Sequence, residues 1–150
     1  MGPKMEVYSA FSLSPVSDTL SSLIDEGGRE LCRIAGLVLE KSFRLADGRF
    51  LLVTTDDCPF EEGIHITLLR SDGQIDESLA RVVPYQPAVL TGISSLADDT
   101  LEITISNQER LVVTVDFSGH RAPLQFSKCG FKSDRKLFEP RYLSVSPAQA

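Results

Sequence analysis

Residues 49–70 read RFLLVTTDDCPFEEGIHITLLR, two apolar-rich runs on either side of an acidic segment. Val, Ile, Phe and Thr suit the pleated, half-buried surface of a strand, so the runs at 50–55 and 64–69 predict a long β-hairpin with a charged tip. A second hairpin follows from strict alternation. Leu101, Ile103 and Ile105 alternate with Glu102, Thr104 and Ser106, and Leu111, Val113, Val115 and Phe117 answer them with Val112, Thr114 and Asp116 on the reverse.

Between residue 37 and the first hairpin, Leu37, Leu39, Phe43 and Leu45 are expected on one face and Glu40, Ser42 and Arg44 on the other. Lys41 breaks the alternation and marks a bulge or a sheet edge. Asp47-Gly48 and Asp72-Gly73 supply the positive φ angles of tight turns. Leu79, Val82 and Val83 predict a short strand that Pro84 and Pro87 confine to an edge or end. Short strands are also expected around residues 124–126 and 142–145, with a break at Gly130.

One stretch reads differently. Ser17 suits a helix N-cap, Asp18 the first turn, and Leu20, Leu23 and Ile24 recur at helical spacing before Gly27-Gly28, so a short amphipathic helix is expected near 16–26. A helical turn is also expected from Ser133 to Phe138. Residues 1–14 lack periodicity and read as a loosely ordered arm, residues 15–146 as a single domain, and 147–150 as a frayed end. Together these elements predict an all-β, mainly antiparallel fold, a sandwich or small barrel of about seven to nine strands.

Composition narrows the function classes. The 150 residues, 42% hydrophobic, suffice for a core without disulfide or metal staples. No apolar run approaches the roughly 18 residues of a membrane-spanning helix. Cys32, Cys58 and Cys129 are odd in number and scattered, which points to reduced thiols and a cytoplasmic setting. The formal charge of −6 argues against nucleic acid or anionic lipid as the main partner. Its distribution adds more. Residues 46–116 carry thirteen acids against four arginines, Arg49, Arg70, Arg81 and Arg110, whereas residues 120–141 carry six bases against Asp134 and Glu139.

The acidic tip holds the main candidate chemistry. Asp56, Asp57, Glu61 and Glu62, with His65 nearby, are hard oxygen donors and one imidazole suited in kind to a divalent cation. Cys-Pro-Phe occupies the loop centre where an EF-hand needs glycine, so no metal or other cofactor is assigned. Cys58 and His65 are close enough in sequence to touch across the loop, but nothing supplies an oxyanion hole or a strained nucleophile turn, and no catalytic residue is assigned. Cys58, Cys129, His65 and His120 lack zinc-ligand spacing. Asp116, Ser118 and His120 are accounted for by a turn after a strand.

The basic tail interleaves Phe126, Phe131, Phe138 and Tyr142 with Lys128, Lys132, Arg135, Lys136 and Arg141, a pattern compatible with stacking on single-stranded nucleic acid and equally with core aromatics flanked by solvated cations. The expectation that follows is a non-enzymatic binding domain. It docks an unidentified cationic protein through Asp56, Asp57, Glu61 and Glu62, with Phe60 as the apolar anchor. The alternatives are a divalent-metal enzyme or small-ligand binder built on the 56–62 loop and His65, and weak single-stranded nucleic-acid binding by the tail.

Overall fold

The two runs around the acidic segment form the central hairpin of the protein, β6 (Phe50–Thr55) and β7 (Gly63–Leu69), paired antiparallel from Phe50↔Leu69 to Thr55↔Ile64. The structure, a computed structural model, describes residues 4–56, 63–82, 89–106, 109–121, 129–136 and 139–148. All seven residues of β7 are buried, and so are five of the six in β6. A strand facing solvent on one side alternates; these do not, because both faces of their sheet are covered.

Their sheet has six strands in the order β1 (Glu6–Val7), β5 (Val38–Arg44), β6, β7, β8 (Ile75–Val82) and β12 (Lys132–Ser133). Over one face lies a four-stranded sheet, β13 (Pro140–Pro147), β11 (Glu109–Arg121), β10 (Thr100–Ile105) and β9 (Leu90–Ala97). Leu51, Val53, Ile64, Ile66 and Leu68 meet Leu101, Ile103, Val113, Val115 and Leu143 there to form the main core. Over the opposite face lies a three-stranded sheet, β2 (Ser12–Pro15), β3 (Leu20–Ile24) and β4 (Glu30–Ala35). Leu52 and Leu69 point that way and pack with Phe11, Leu23 and Ile34. Every pairing is antiparallel and no sheet closes on itself among the described residues, so the fold is a β-sandwich with a third small sheet on its central layer. Full burial of each Leu or Ile in these layers contributes about 1.5–3 kcal/mol.

The helix expected near 16–26 does not form. Residues 20–24 are β3, with Ser21 and Leu23 wholly buried against the central sheet. The capping signals are present but close turns instead. Ser17 Oγ accepts the Leu20 N–H at 3.1 Å while Val16 N–H reaches the Leu20 carbonyl, which makes the β2–β3 turn, and Gly28 sits at φ 83° in the β3–β4 turn. Three apolar residues at helical spacing make too narrow a stripe to outweigh a place between two strands. Of the helical turn expected from Ser133 to Phe138, Ser133 belongs to β12, no α-helix occurs among the described residues, and residues 137 and 138 lie outside them.

The bulge foreshadowed by Lys41 is real. The β5–β6 register shifts between Leu39 and Lys41, and the extra residue turns Leu39 toward the small sheet while Phe43 and Leu45 face the main core, so these three do not share one face. Asp47-Gly48 and Asp72-Gly73 make the tight turns their residue types demand, with φ of 90° and 91° at the glycines. Near the N-terminus, Met5 and Phe11 are buried, and the rings of Tyr8, Phe11 and Phe50 lie 4.8–5.0 Å apart. No helix among the described residues is long and apolar enough to cross a membrane.

Candidate functional site

The β6–β7 hairpin brings two of the residues singled out from the sequence together. Asp56 follows β6 and closes the hairpin base through its N–H to the Gly63 carbonyl at 3.0 Å. His65, directly opposite Thr54 in the ladder, points to the face covered by the small sheet, and its Nε2 lies 3.0 Å from Asp56 Oδ1. The imidazole is 9% exposed and the carboxylate 17%. It is therefore a buried side chain, because the small sheet and the Gly36 corner cover this face. His65 Nδ1 and the Thr67 hydroxyl on the same face are buried with no hydrogen-bond partner among the described residues.

Gly36 locks this corner. Its φ is 104°, and a Cβ there would stand 2.4 Å from Thr54 Oγ1 and 3.5 Å from His65 Cδ2. Thr54 Oγ1 in turn donates to the Ala35 carbonyl at 2.8 Å, and Leu37 N–H to the Thr55 carbonyl at 2.9 Å. With Nε2 committed to Asp56 and Nδ1 sealed, the imidazole orients a carboxylate at the hairpin base and is not presented to solvent as a base or nucleophile. Asp57, Cys58, Phe60, Glu61 and Glu62 lie outside the described residues.

The zinc set is not assembled among the described residues. His65 sits between the central and small sheets, His120 is half exposed on β11 beside Asp116 at 3.3 Å, and Cys129 packs against the main core. No group of three or more His, Cys, Asp or Glu side chains among the described residues is arranged to hold a metal ion. Asp116 also accepts the Ser118 N–H at 3.2 Å, but Asp116, Ser118 and His120 lie within β11, where its register against β13 shifts between Val115 and His120, so they belong to an irregular stretch of the strand and not to a turn after it. In the tail, Phe131 is buried in the core, and Tyr142 stacks under Arg49 with 5.1 Å from guanidinium to ring centre, while Lys132 and Lys136 are exposed. Phe126, Lys128 and Phe138 lie outside the described residues.

The four arginines of the acid-rich segment are each held by acids away from the tip. Arg49 binds Asp47 at 2.7 Å and Asp76 at 3.0 Å, Arg70 binds Asp72 at 2.7 Å, Arg81 binds Glu109 at 2.9 Å, and Arg110 binds Glu102 at 2.9 Å. Glu77 is fully buried and spends its charge on the chain itself. Its Oε1 accepts the N–H groups of Tyr142 at 2.7 Å and Leu143 at 2.8 Å, and its Oε2 the Ser133 hydroxyl at 2.5 Å.

An open cleft of about 390 Å³ between the central and four-stranded sheets is a feature that sequence reasoning missed. Arg49 dominates its wall. Beyond the two carboxylates it donates to the Phe117 carbonyl at 2.7 Å and lies over the rings of Phe117 and Tyr142. Burial lowers its basicity, but the hydrogen bonds and charges of Asp76 and Asp47 outweigh that and the net shift is upward. The charge of Arg49 is thus answered within the protein, and its side chain clasps the two layers together. The partners of Arg49 are too far apart in sequence for any spacing rule to have joined them. No protein-family model, curated protein or solved structure matches the chain.

Proposed function

We propose that the protein is a non-enzymatic binding domain that docks a cationic protein through its acidic hairpin tip, with Asp56, Asp57, Glu61 and Glu62 as the charged contacts and Phe60 as the apolar anchor. The observation that supports this reading is where the arginines go. All four in residues 46–116 neutralise acids outside the tip, and Glu77 is consumed in the core. Four other acids of that segment, Asp56, Asp57, Glu61 and Glu62, stand together in sequence at 56–62. A patch of one sign speeds encounter with a partner of the other sign and selects against wrong partners, which is what a docking module requires. Asp56, gripped by His65 at the hairpin base, sets the root of that patch.

The test is capture of basic proteins at low and high salt by three baits. One is the wild type, one carries Asp56→Asn, Asp57→Asn, Glu61→Gln and Glu62→Gln, and one carries Glu6→Gln, Asp18→Asn, Glu26→Gln and Asp98→Asn. The two variants have the same net charge. A salt-labile partner lost only with the tip variant supports the reading, whereas equal loss with both shows that net charge alone holds the partner.

A further inference from the structure

We infer that Arg141 anchors a small oxyanion site, taking a carboxylate or phosphate group on the Nε–Nη2 edge of its guanidinium. Arg141 lies on β13 directly opposite His120 of β11 and is only 8% exposed. Its Nε and Nη2 are both enclosed, and neither has a hydrogen-bond partner among the described residues. These two nitrogens form one edge of the planar group, whose parallel N–H bonds match two oxygens of a carboxylate or a phosphate. Arginine keeps its charge when buried, and a buried charge without partners is strongly disfavoured, so this edge calls for an anion. Arg81 also has two enclosed nitrogens without partners among the described residues, but its Nη2 holds Glu109 at 2.9 Å.

The acids of this region are committed elsewhere. Asp116 holds the Ser118 N–H and faces His120, Asp134 accepts the Ser78 N–H at 2.9 Å, and Glu139 accepts the Lys136 N–H at 2.6 Å and pairs with Arg135 at 3.7 Å. Between Asp116 and Asp134 the sequence contains no acid at all. Glu77 comes close through the backbone, but its oxygens are taken by the Tyr142 and Leu143 N–H groups and the Ser133 hydroxyl.

The tip acids start from the far end of the central sheet. Gly63 pairs with Val82, five residues along β8 from Glu77, a run of about 17 Å. The chain terminus departs in the same direction, since β13 runs away from Arg141 and the Ala148 N–H meets the Arg110 carbonyl. The anion is therefore a ligand from outside the chain. A guanidinium this enclosed admits a small ion and not a peptide or a nucleic-acid strand. Residues directly opposed in a ladder share a face, so the half-exposed imidazole of His120 stands on the same side as Arg141 and reports on what binds there.

The test is calorimetric titration with sodium phosphate and, separately, sodium acetate, at an ionic strength held constant with chloride. The ring signals of His65 and His120, the two histidines of the chain, are followed by proton NMR in the same titrations. Four proteins are compared: the wild type, Arg141→Lys, Arg141→Met, and Lys132→Met, which makes the same charge change at an exposed position on β12. The wild type should bind at least one of the two anions saturably with a Kd at or below about 1 mM, and the tighter anion identifies the ligand class. Arg141→Lys keeps the charge but not the fork and should bind at least about tenfold more weakly, Arg141→Met should not bind, and Lys132→Met should stay within about twofold of the wild type. The His120 signals should move with the anion while those of His65, on the other face of the central sheet, stay in place. Should Arg141→Met fail to fold, Arg141→Lys carries the comparison. No saturation by either anion up to about 50 mM, undiminished binding in the Arg141 variants, or an equal loss in Lys132→Met overturns the inference.

Discussion

Replacing Glu77 by Ala removes the acceptor that ties β8 of the central sheet to β13 of the sheet above it. Three donors lose their partner: the N–H groups of Tyr142 and Leu143, at 2.7 and 2.8 Å, and the Ser133 hydroxyl. Hydrogen bonds to a charged group are worth about 1.5–3 kcal/mol each. The gross loss is partly offset because an ion no longer has to be held away from water, a relief of several kcal/mol. The net cost is then about 3–5 kcal/mol, the scale seen when one partner of a buried charged network is removed. In a chain of this size that lowers Tm by about 10 °C.

Glu77→Gln separates acceptor from charge. Its amide oxygen still accepts both N–H groups, and the Ser133 hydroxyl turns to accept from the new amide, so the cost falls to about 1–2 kcal/mol. Urea unfolding of the three proteins, with the m-values checked for constancy, measures both differences. A cost below about 1 kcal/mol for Glu77→Ala, or equal costs for both variants, would refute the clasp.

Arg49→Lys keeps a positive charge but cannot reach Asp47, Asp76 and the Phe117 carbonyl together, so a loss of about 1–3 kcal/mol in thermal unfolding is expected. No loss would mean that charge alone matters there. Gly36→Ala forces a methyl group against Thr54 at a positive φ and should cost about 2–4 kcal/mol. Adding Thr54→Ala should recover part of this in a double-mutant cycle, and strict additivity would count against the contact. Burial first, and the negative charge of Glu30 second, hold the Cys32 thiol above its ordinary pKa, so less of it is thiolate at any pH near 8. Alkylation of Cys32 should therefore be slower in the folded than in the urea-unfolded protein, and equal rates would contradict the burial.

The two main hairpins were legible in the sequence because their residues repeat with the strand period and their turns carry the needed chemistry. Phe50 to Thr55 is β6 with the expected bounds, and Leu101 to Ile105 falls within β10, which begins one residue earlier at Thr100. The third layer was not legible. It rests on β3, where Ser21 shares the inward face with Leu23, so the residues that bury it carry no apolar alternation. Without that layer Leu20, Leu23 and Ile24 look helical and His65 looks exposed. The Lys41 exception was readable as a bulge, but which face each neighbour takes after it depends on pairing with β6.

The acidic charge of the tip was visible by counting. Where the arginines of that segment go was not, because Arg81 and Glu109 are joined only once the layers stack, and Arg49 reaches the Phe117 carbonyl, 68 residues away, only across two sheets.

The most direct measurement of the docking claim is photo-crosslinking from position 60, with benzoylphenylalanine in place of Phe60, beside the same probe at Ser144 on the outer face of the four-stranded sheet. Docking through the tip predicts a cross-link to a basic protein from position 60 alone, lost at high salt and lost when the four tip acids are amidated. Cross-links of equal yield from both positions, or a cross-link at position 60 that survives amidation, would contradict it.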